Sequence, residues 1–236
     1  MTISQKYGRT WHFPFSPGTS SDDRIQYDYW KYIQSADSLV VTEKLDGENN
    51  CLSQYGVFAR SHAAPTVSPW TATLRQYWHS IRKDLGNMEI FLENLYAVHS
   101  LRYRKLHHHF HVFAIRENEH WLSWEETKFY AAMLDLPVVP EITVMATPTV
   151  QTDFESEILR IIEGPGAYDP VDTIEEKPAT MEGVVVRNAG AFNTAEHAHN
   201  IFKYVRKGHV KTDQHWSRNW KRAKLKQEGG KHVDHQ

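Results

Sequence analysis

The stretch "VVTEKLDGENNC", residues 40–51, decides the fold. Val40 and Val41, after Leu39, read as a strand about to be buried. Glu43, Lys44, Asp46, Gly47, Glu48 and Asn49 then crowd the point where that strand should end. A lysine at such a place either lays its stem on the core and sends its ammonium to water, or it is a nucleophile. A free lysine has a pKa of about 10.4 and is nearly all protonated at neutral pH. Attack on phosphorus or carbon requires that value to fall, through burial or a nearby positive charge such as a bound metal. The flanking carboxylates would by themselves raise it, so metal or substrate has to engage them.

The rest of the chain reads outward from there. "SLVVTEKL" and "NCLSQYGVFARS" form β-rich runs on either side of Gly47 and are expected to be a hairpin over 38–62. Ser68 and Pro69 open a helix, "WTATLRQYWHSIRKDL". "MEIFLENLYAV" and "HFHVFAIRE" are strands, and Ser123 with Glu126 has capping-box spacing for the helix "SWEETKFYAAML". "VVPEITV" is a short strand and "DFESEILRIIEG" a helix ending at Gly164. "MEGVVVRN" and "IFKYVRKG" are the last strands. Strands and helices mix without a βαβ period, so the expected class is α+β with a mainly antiparallel sheet.

Composition narrows the function classes. The chain has 236 residues, 40% of them hydrophobic, and a net charge of −2, so attraction to nucleic acid has to come from a local patch. One cysteine, Cys51, is expected to exclude both an internal disulfide and a cysteine-based zinc site, and fits a reducing compartment. No apolar run approaches the ~18 residues of a membrane span. The N-terminus "MTISQKYGRTWHF" lacks the apolar core of a signal peptide. A soluble, cytoplasmic protein without a membrane partner is the default expectation. "HHHFH", residues 107–111, suggests metal, but adjacent residues of a strand point to alternate faces.

Lys-x-Asp-Gly alone is a weak pattern; its companions decide the matter. Lys44, Asp46, Gly47 and Asn49 stand in a Lys-x-Asp-Gly-x-Asn motif. Arg60 follows in "FARSHA", Glu93 in "FLENLYA", Phe113 in "HVFAI", Glu182 to Arg187 in "EGVVVR", and Lys203 in "FKYVRKG". In this order the set resembles the covalent nucleotidyltransferase superfamily of polynucleotide ligases and capping enzymes. Within it, the likeness is to ATP-dependent RNA ligases of the phage RNA ligase 2-like group, in a small stand-alone form, over about residues 6 to 225.

The resemblance implies an ATP-grasp-like α+β nucleotidyltransferase (ligase adenylation) domain, with antiparallel sheets around an ATP cleft. It implies that Lys44 takes AMP from ATP, passes it to a 5′-phosphorylated RNA end, and lets a 3′-hydroxyl displace it. Lys203 is expected on the α-phosphate, and Glu93 and Glu182 around a divalent cation, Mg2+ or Mn2+. Phe113 is expected to stack on adenine and Glu43 to lie near the base edge. Arg60 and Asn49 are expected at ribose or strand ends, with Asp46 and Gly47 in the nucleotide motif. Arg187 is either a ligand of the site or the partner of one of its carboxylates. His12, His62 and His99 fall in the matching segments without an assigned role.

Two departures from the family pattern stand out. The motif around Lys203 commonly has two lysines separated by one residue; here Val205 takes the second place, leaving Arg206 or Lys207 to supply the cation. The domain is expected to span residues 1–211, followed by a short basic tail, 212–236, with no OB-fold domain. Arg206, Lys207, Lys211, Trp216 and Arg218 are expected to bind nucleic acid, on a basic helix or arm. Its tryptophans could equally complete the core. The partner is RNA with 5′-phosphate and 3′-hydroxyl ends, with an end-healing kinase or phosphatase as a further partner if the protein is strong only in the first step. Alternatives are a DNA nick ligase of the same superfamily and a non-catalytic nucleic-acid-binding module.

Overall fold

The computed structural model describes residues 4–208 and 216–228. In chain order the strands are β1 (Trp11–His12), β2 (Ser38–Lys44), β3 (Glu48–Ser53), β4 (Gly56–Ala59), β5 (Met88–Asn94), β6 (Leu101–Tyr103) and β7 (Phe110–Glu117). They continue with β8 (His120–Trp121), β9 (Glu141–Ala146), β10 (Pro170–Asp172), β11 (Gly183–Asn188), β12 (Phe192–Asn193) and β13 (Ile201–Val205). The helices are α1 (Tyr29–Ile33), α2 (Ala72–Ile81), α3 (Trp124–Met133), α4 (Gln151–Ile162) and α5 (His197–Asn200).

Two sheets carry the molecule. One runs β1-β13-β11-β2-β9, the other β12-β8-β7-β5-β3-β4, with β6 and β10 as a separate pair. All pairings are antiparallel except β1 with β13. The expected α+β class with antiparallel sheets is what the chain adopts.

The hairpin expected across Gly47 does not form. β2 is buried along its middle five residues and is flanked on both sides, by β11 and β9. A strand without a free edge cannot accept β3, which pairs with β4 and β5 in the other sheet. The true hairpin is β3–β4. Residues 45–47 therefore cross from one sheet to the other. Gly47 allows the crossing: a Cβ there would lie 2.6 Å from the Asn94 carbonyl oxygen and 2.7 Å from Leu95.

Each sheet packs its own helices. Phe13, Ile33, Val41, Phe154, Ile158 and Phe202 form the core between the first sheet, α1 and α4. Leu52, Leu74, Trp78, Ile90 and Val112 form the core between the second sheet, α2 and α3. The capping box of α3 is formed, with the Ser123 side chain accepting from the Glu126 N–H and the Glu126 carboxylate accepting in return. α2 is shorter than its sequence suggested. Pro69–Thr71 make a 3-10 turn first, the Ser68 side chain caps nothing, and the helix ends at Ile81.

Candidate active site between the sheets

The nucleophile candidate is set by strand register. β2 and β11 pair Lys44 with Gly183, so Glu182, one residue earlier, falls beside the end of β2. Lys44 Nζ donates to both Glu182 oxygens, each at 2.8 Å. Gly183 lets β11 lie close to β13, because a Cβ there would meet the Tyr204 carbonyl oxygen at 2.0 Å. Burial pulls the Lys44 pKa down, but the charges of Glu182, Glu93 and Asp46 outweigh it and the net shift is upward. At rest the lysine is an ammonium.

The second sheet supplies the facing wall. β3 and β5 pair Asn49 with Glu93, and the Gly47 N–H donates to Glu93 Oε1 at 3.0 Å. Burial pushes the Glu93 carboxyl up to about 8, with the Lys44 charge opposing. Asp46 is pushed up to about 7, by burial and then by the Glu182 charge. Its Oδ2 accepts the Leu101 N–H at 2.8 Å, and the Tyr103 hydroxyl takes its own N–H. Asp46 thus braces the sheet crossing from behind and does not line the cleft, whereas Lys44, Gly47, Asn49 and Glu93 do. Glu93 and Glu182 leave carboxylate oxygens beside Lys44, the donor chemistry that suits a hard divalent cation.

The cleft has a volume of about 490 Å³. Its aromatic end is made by Phe113 and Tyr7, whose rings meet edge-to-face at 5.0 Å. Glu43 lines it too. One Glu43 oxygen accepts the Ala167 N–H at 2.7 Å, the other has no partner, and burial raises the carboxyl to about 7. Asn49 Oδ1 is a second buried acceptor without a hydrogen bond. Arg60 lines the opposite mouth and is exposed.

Arg187 lines the cleft but pairs with no carboxylate. Its guanidinium donates to the Phe113 and Leu122 carbonyls at 3.1 and 3.0 Å and lies over the Trp124 ring at 5.6 Å. It ties the first sheet to β7 and to the residue after β8. This corrects the expectation of an ion pair, because its fork is consumed by backbone oxygens.

Lys203 faces the cleft from β13. Burial and then the Lys44 charge lower its pKa. Its Nζ lies 3.4 Å from Asp23 Oδ1, and His12 Nε2 lies 3.1 Å from the same oxygen. Burial, then the Lys203 charge, pushes His12 down to about 4, so it is neutral. Tyr7, which lines the cleft, and Asp23, beside Lys203, are residues that no motif reading picked out. Both stand in the N-terminal stretch that reaches β13 through β1, where Trp11 and His12 pair with Phe202 and Lys203. His99 lines the cleft, 3.9 Å from Asp46. His62 does not line it.

The basic segment behaves differently from its sequence. Lys211 lies outside the described residues. Among the described ones there is no basic helix, only short 3-10 turns at Trp216–Arg218 and Lys226–Glu228. Between them the backbone docks on the domain: the Val98 N–H donates to the Lys221 carbonyl and the Ala223 N–H to the Tyr96 carbonyl. Pairing with an open backbone edge has overridden helix propensity. Trp220 sits against Trp70 and Tyr96 with ring centroids 6.2 and 6.1 Å away. Lys207 and Arg218 are exposed, and Arg206 is half-buried; none of the three lines the cleft. In "HHHFH", His109 meets the Ala223 carbonyl and His111 the Tyr168 hydroxyl, each at 3.0 Å, and no metal cluster is found there.

A family model described as RNA ligase matches residues 37–205. That span takes in Lys44, Glu93, Glu182 and Lys203. No curated protein sequence matches the chain. An archaeal ATP-dependent RNA ligase is 20% identical, with 83% of this chain and 48% of that one covered and a TM-score of 0.49. A Naegleria gruberi RNA ligase mutant with ATP and Mn is 17% identical over 87% of this chain and 60% of its own, at TM-score 0.52. A putative ATP-dependent DNA ligase from Aquifex aeolicus is 16% identical, with coverages of 85% and 50% and TM-score 0.50. At such identities the last two show a shared fold, and the chain spans 60% or less of these structures' length. No helix among the described residues is long and apolar enough to cross a membrane. With two sheets that meet over a lysine-carboxylate cleft and a family model spanning most of both, the chain belongs to the RNA ligase family.

Proposed function

We propose that the protein seals RNA ends with ATP, through AMP carried on Lys44. The observation that carries this reading is the Lys44–Glu182 pair at the rim of a cleft with Lys203 on the same side. Lys44 Nζ attacks the α-phosphorus of ATP; the N–P bond forms and the bond to pyrophosphate breaks. The ammonium gives up one proton before attack, which Glu182 is placed to receive along the existing hydrogen bond, and a second to solvent or pyrophosphate as the N–P bond forms. Lys203 neutralises the α-phosphate, and catalysis is mostly positioning and charge neutralisation. Glu93 and Glu182 would hold a divalent cation, Mg2+ or Mn2+, which would supply further charge neutralisation on the phosphates.

Phe113 stacks on adenine. The unpartnered Glu43 oxygen accepts from its amino group, an idea supported by that oxygen's burial without a donor. Asn49 and Arg60 receive ribose or the strand ends, and Gly47 keeps the crossing close. Arg187 acts through Phe113, whose carbonyl it holds. The adenylate then moves to a 5′-phosphate, and a 3′-hydroxyl displaces AMP. Residues 1–211 carry this chemistry. The basic residues Arg206, Lys207, Lys211 and Arg218, with Trp216 beside them, lead the RNA strand to the cleft. An end-healing kinase or phosphatase is the partner that prepares such ends.

The test is incubation with α-labelled ATP or GTP and a divalent cation, followed by a denaturing gel beside Lys44→Ala. Label from ATP alone, absent in the variant, is the expected result. Protein stripped with pyrophosphate that still takes no label overturns the reading. Sealing of an all-DNA nick in preference to RNA overturns the substrate.

A further inference from the structure

Away from the cleft, Cys51, His62 and Glu89 bring a sulfur, a ring nitrogen and a carboxylate oxygen within 4.8 Å of one another. They come from three segments of the second sheet: β3, the turn after β4, and the start of β5. This is the one group with metal-ligand spacing among the described residues.

Three observations set it apart from ordinary packing. First, both His62 ring nitrogens are shielded from solvent, and beyond loose contacts with the Arg60 and Ala59 backbone neither has a hydrogen-bond partner. Second, His62 sits in the left-handed region, with φ at 52°, and its ring stacks on Phe58 at 5.1 Å and 6°. The backbone is held in an uncommon conformation that delivers the ring to this place. Third, Glu89 is already oriented. Arg116 Nε donates to its Oε2 at 2.7 Å, so Oε1 points the other way, where it meets the Ser4 hydroxyl. A second partner that fixes a carboxylate in this manner is what ligating carboxylates ordinarily have.

We propose that Cys51, His62 and Glu89 bind a zinc ion, with Ser4 Oγ or water as the fourth ligand. Sulfur and imidazole select zinc over the hard cations that suit the cleft. Zinc bonds of about 2.0–2.3 Å would draw the three atoms to about 3.5 Å apart, a closure of side chains rather than of strands. Binding breaks the Cys51 S–H bond: the proton leaves to solvent and the sulfur electron pair forms the Zn–S bond. The site clips the Ala59–His62 turn to β3 and β5, and Arg60, which lines the cleft, lies in that turn. Its role is to fix Arg60, and the proposal stands whether or not the ligase reading does.

The test uses the full chain, stripped with a chelator and titrated with Co2+. Expected is a thiolate-to-cobalt charge-transfer band with intense tetrahedral visible bands, saturating at one equivalent and displaced by Zn2+. One proton is released per ion in weak buffer. Cys51→Ser abolishes the band and His62→Asn weakens binding at least about tenfold, the loss of one strong ligand contact. Since Cys51→Ser could fail to fold, the wild-type spectrum decides. A weak octahedral cobalt spectrum with no sulfur band means the cation binds only in the cleft, and overturns the proposal. So does a band that survives in folded Cys51→Ser.

Discussion

Lys44 Nζ donates to both oxygens of Glu182 at 2.8 Å, and this contact answers why a lysine flanked by carboxylates ends β2. In the proposed reaction the carboxylates keep Lys44 charged until a divalent cation engages them. Glu182→Gln removes the proton acceptor while keeping the shape. Single-turnover transfer of label from ATP should fall at least about 100-fold, the usual range for loss of general acid–base help. Wild-type rates in this variant would remove Glu182 from the proton path.

The buried acids give the protein an unusual pH response. Asp46 and Glu93, normally at 3.8 and 4.5, are raised to about 7 and 8 in the fold. Between those limits the native state binds more protons than the unfolded chain, so their contribution is lost as pH rises through 7 to 8. Buried histidines act oppositely: His12 and His197, lowered from 6.5 to about 4, destabilise the fold as pH falls below 6.5. From pH 6.5 to 8.5 only the acids operate. The melting temperature without divalent cation should therefore fall over that window. Glu93→Gln should raise it at pH 8.5 by about 3 °C, the equivalent of roughly 1 kcal/mol in a chain this size. Calorimetry at the two pH values checks the sign.

Self-adenylylation should climb over the same range, because the Lys44 pKa is shifted up and the free amine becomes more abundant as pH rises. A flat profile of single-turnover rate between pH 6.5 and 9 would show that the amine is already free at rest.

Gly183 is fixed by space. Its missing Cβ would stand 2.0 Å from the Tyr204 carbonyl oxygen, so Gly183→Ala must push β11 from β13, next to the Glu182 that pairs with Lys44. Denaturant melts should show a loss of about 1–3 kcal/mol, as for overpacked cores, with label transfer falling alongside. Gly190→Ala, whose Cβ finds only Asn188 Oδ1 at 3.4 Å, is the near-neutral control.

Trp220 rests against Trp70 and Tyr96, so its first task is to dock the basic segment. Trp220→Ala should cost about 1.5 kcal/mol in denaturant melts, from lost area and ring pairing. The salt dependence of RNA binding should stay unchanged, since no phosphate contact is removed. A changed salt slope at unaltered stability would assign the ring to RNA instead.

Much of this was legible in the chain. The residues that the proposed chemistry calls on, Lys44, Glu93, Glu182 and Lys203, stand in short motifs, each in or beside a strand and close to an apolar run. The α+β class and the α3 capping box were local facts, carried by residues within a few positions of one another. What the sequence could not determine was pairing. β2 and β3 are neighbours in the chain, and Gly47 looks like a hairpin turn. Yet β2 is walled in on both edges by strands from residues 141–146 and 183–188, and only the folded sheet reveals that. The same holds for Asp46 turned behind the cleft, Arg187 spent on carbonyls, Asp23 brought to Lys203 from 180 residues away, and Cys51, His62 and Glu89 gathered on one face. Each is a long-range contact fixed by packing, and packing depends on what the whole chain leaves free.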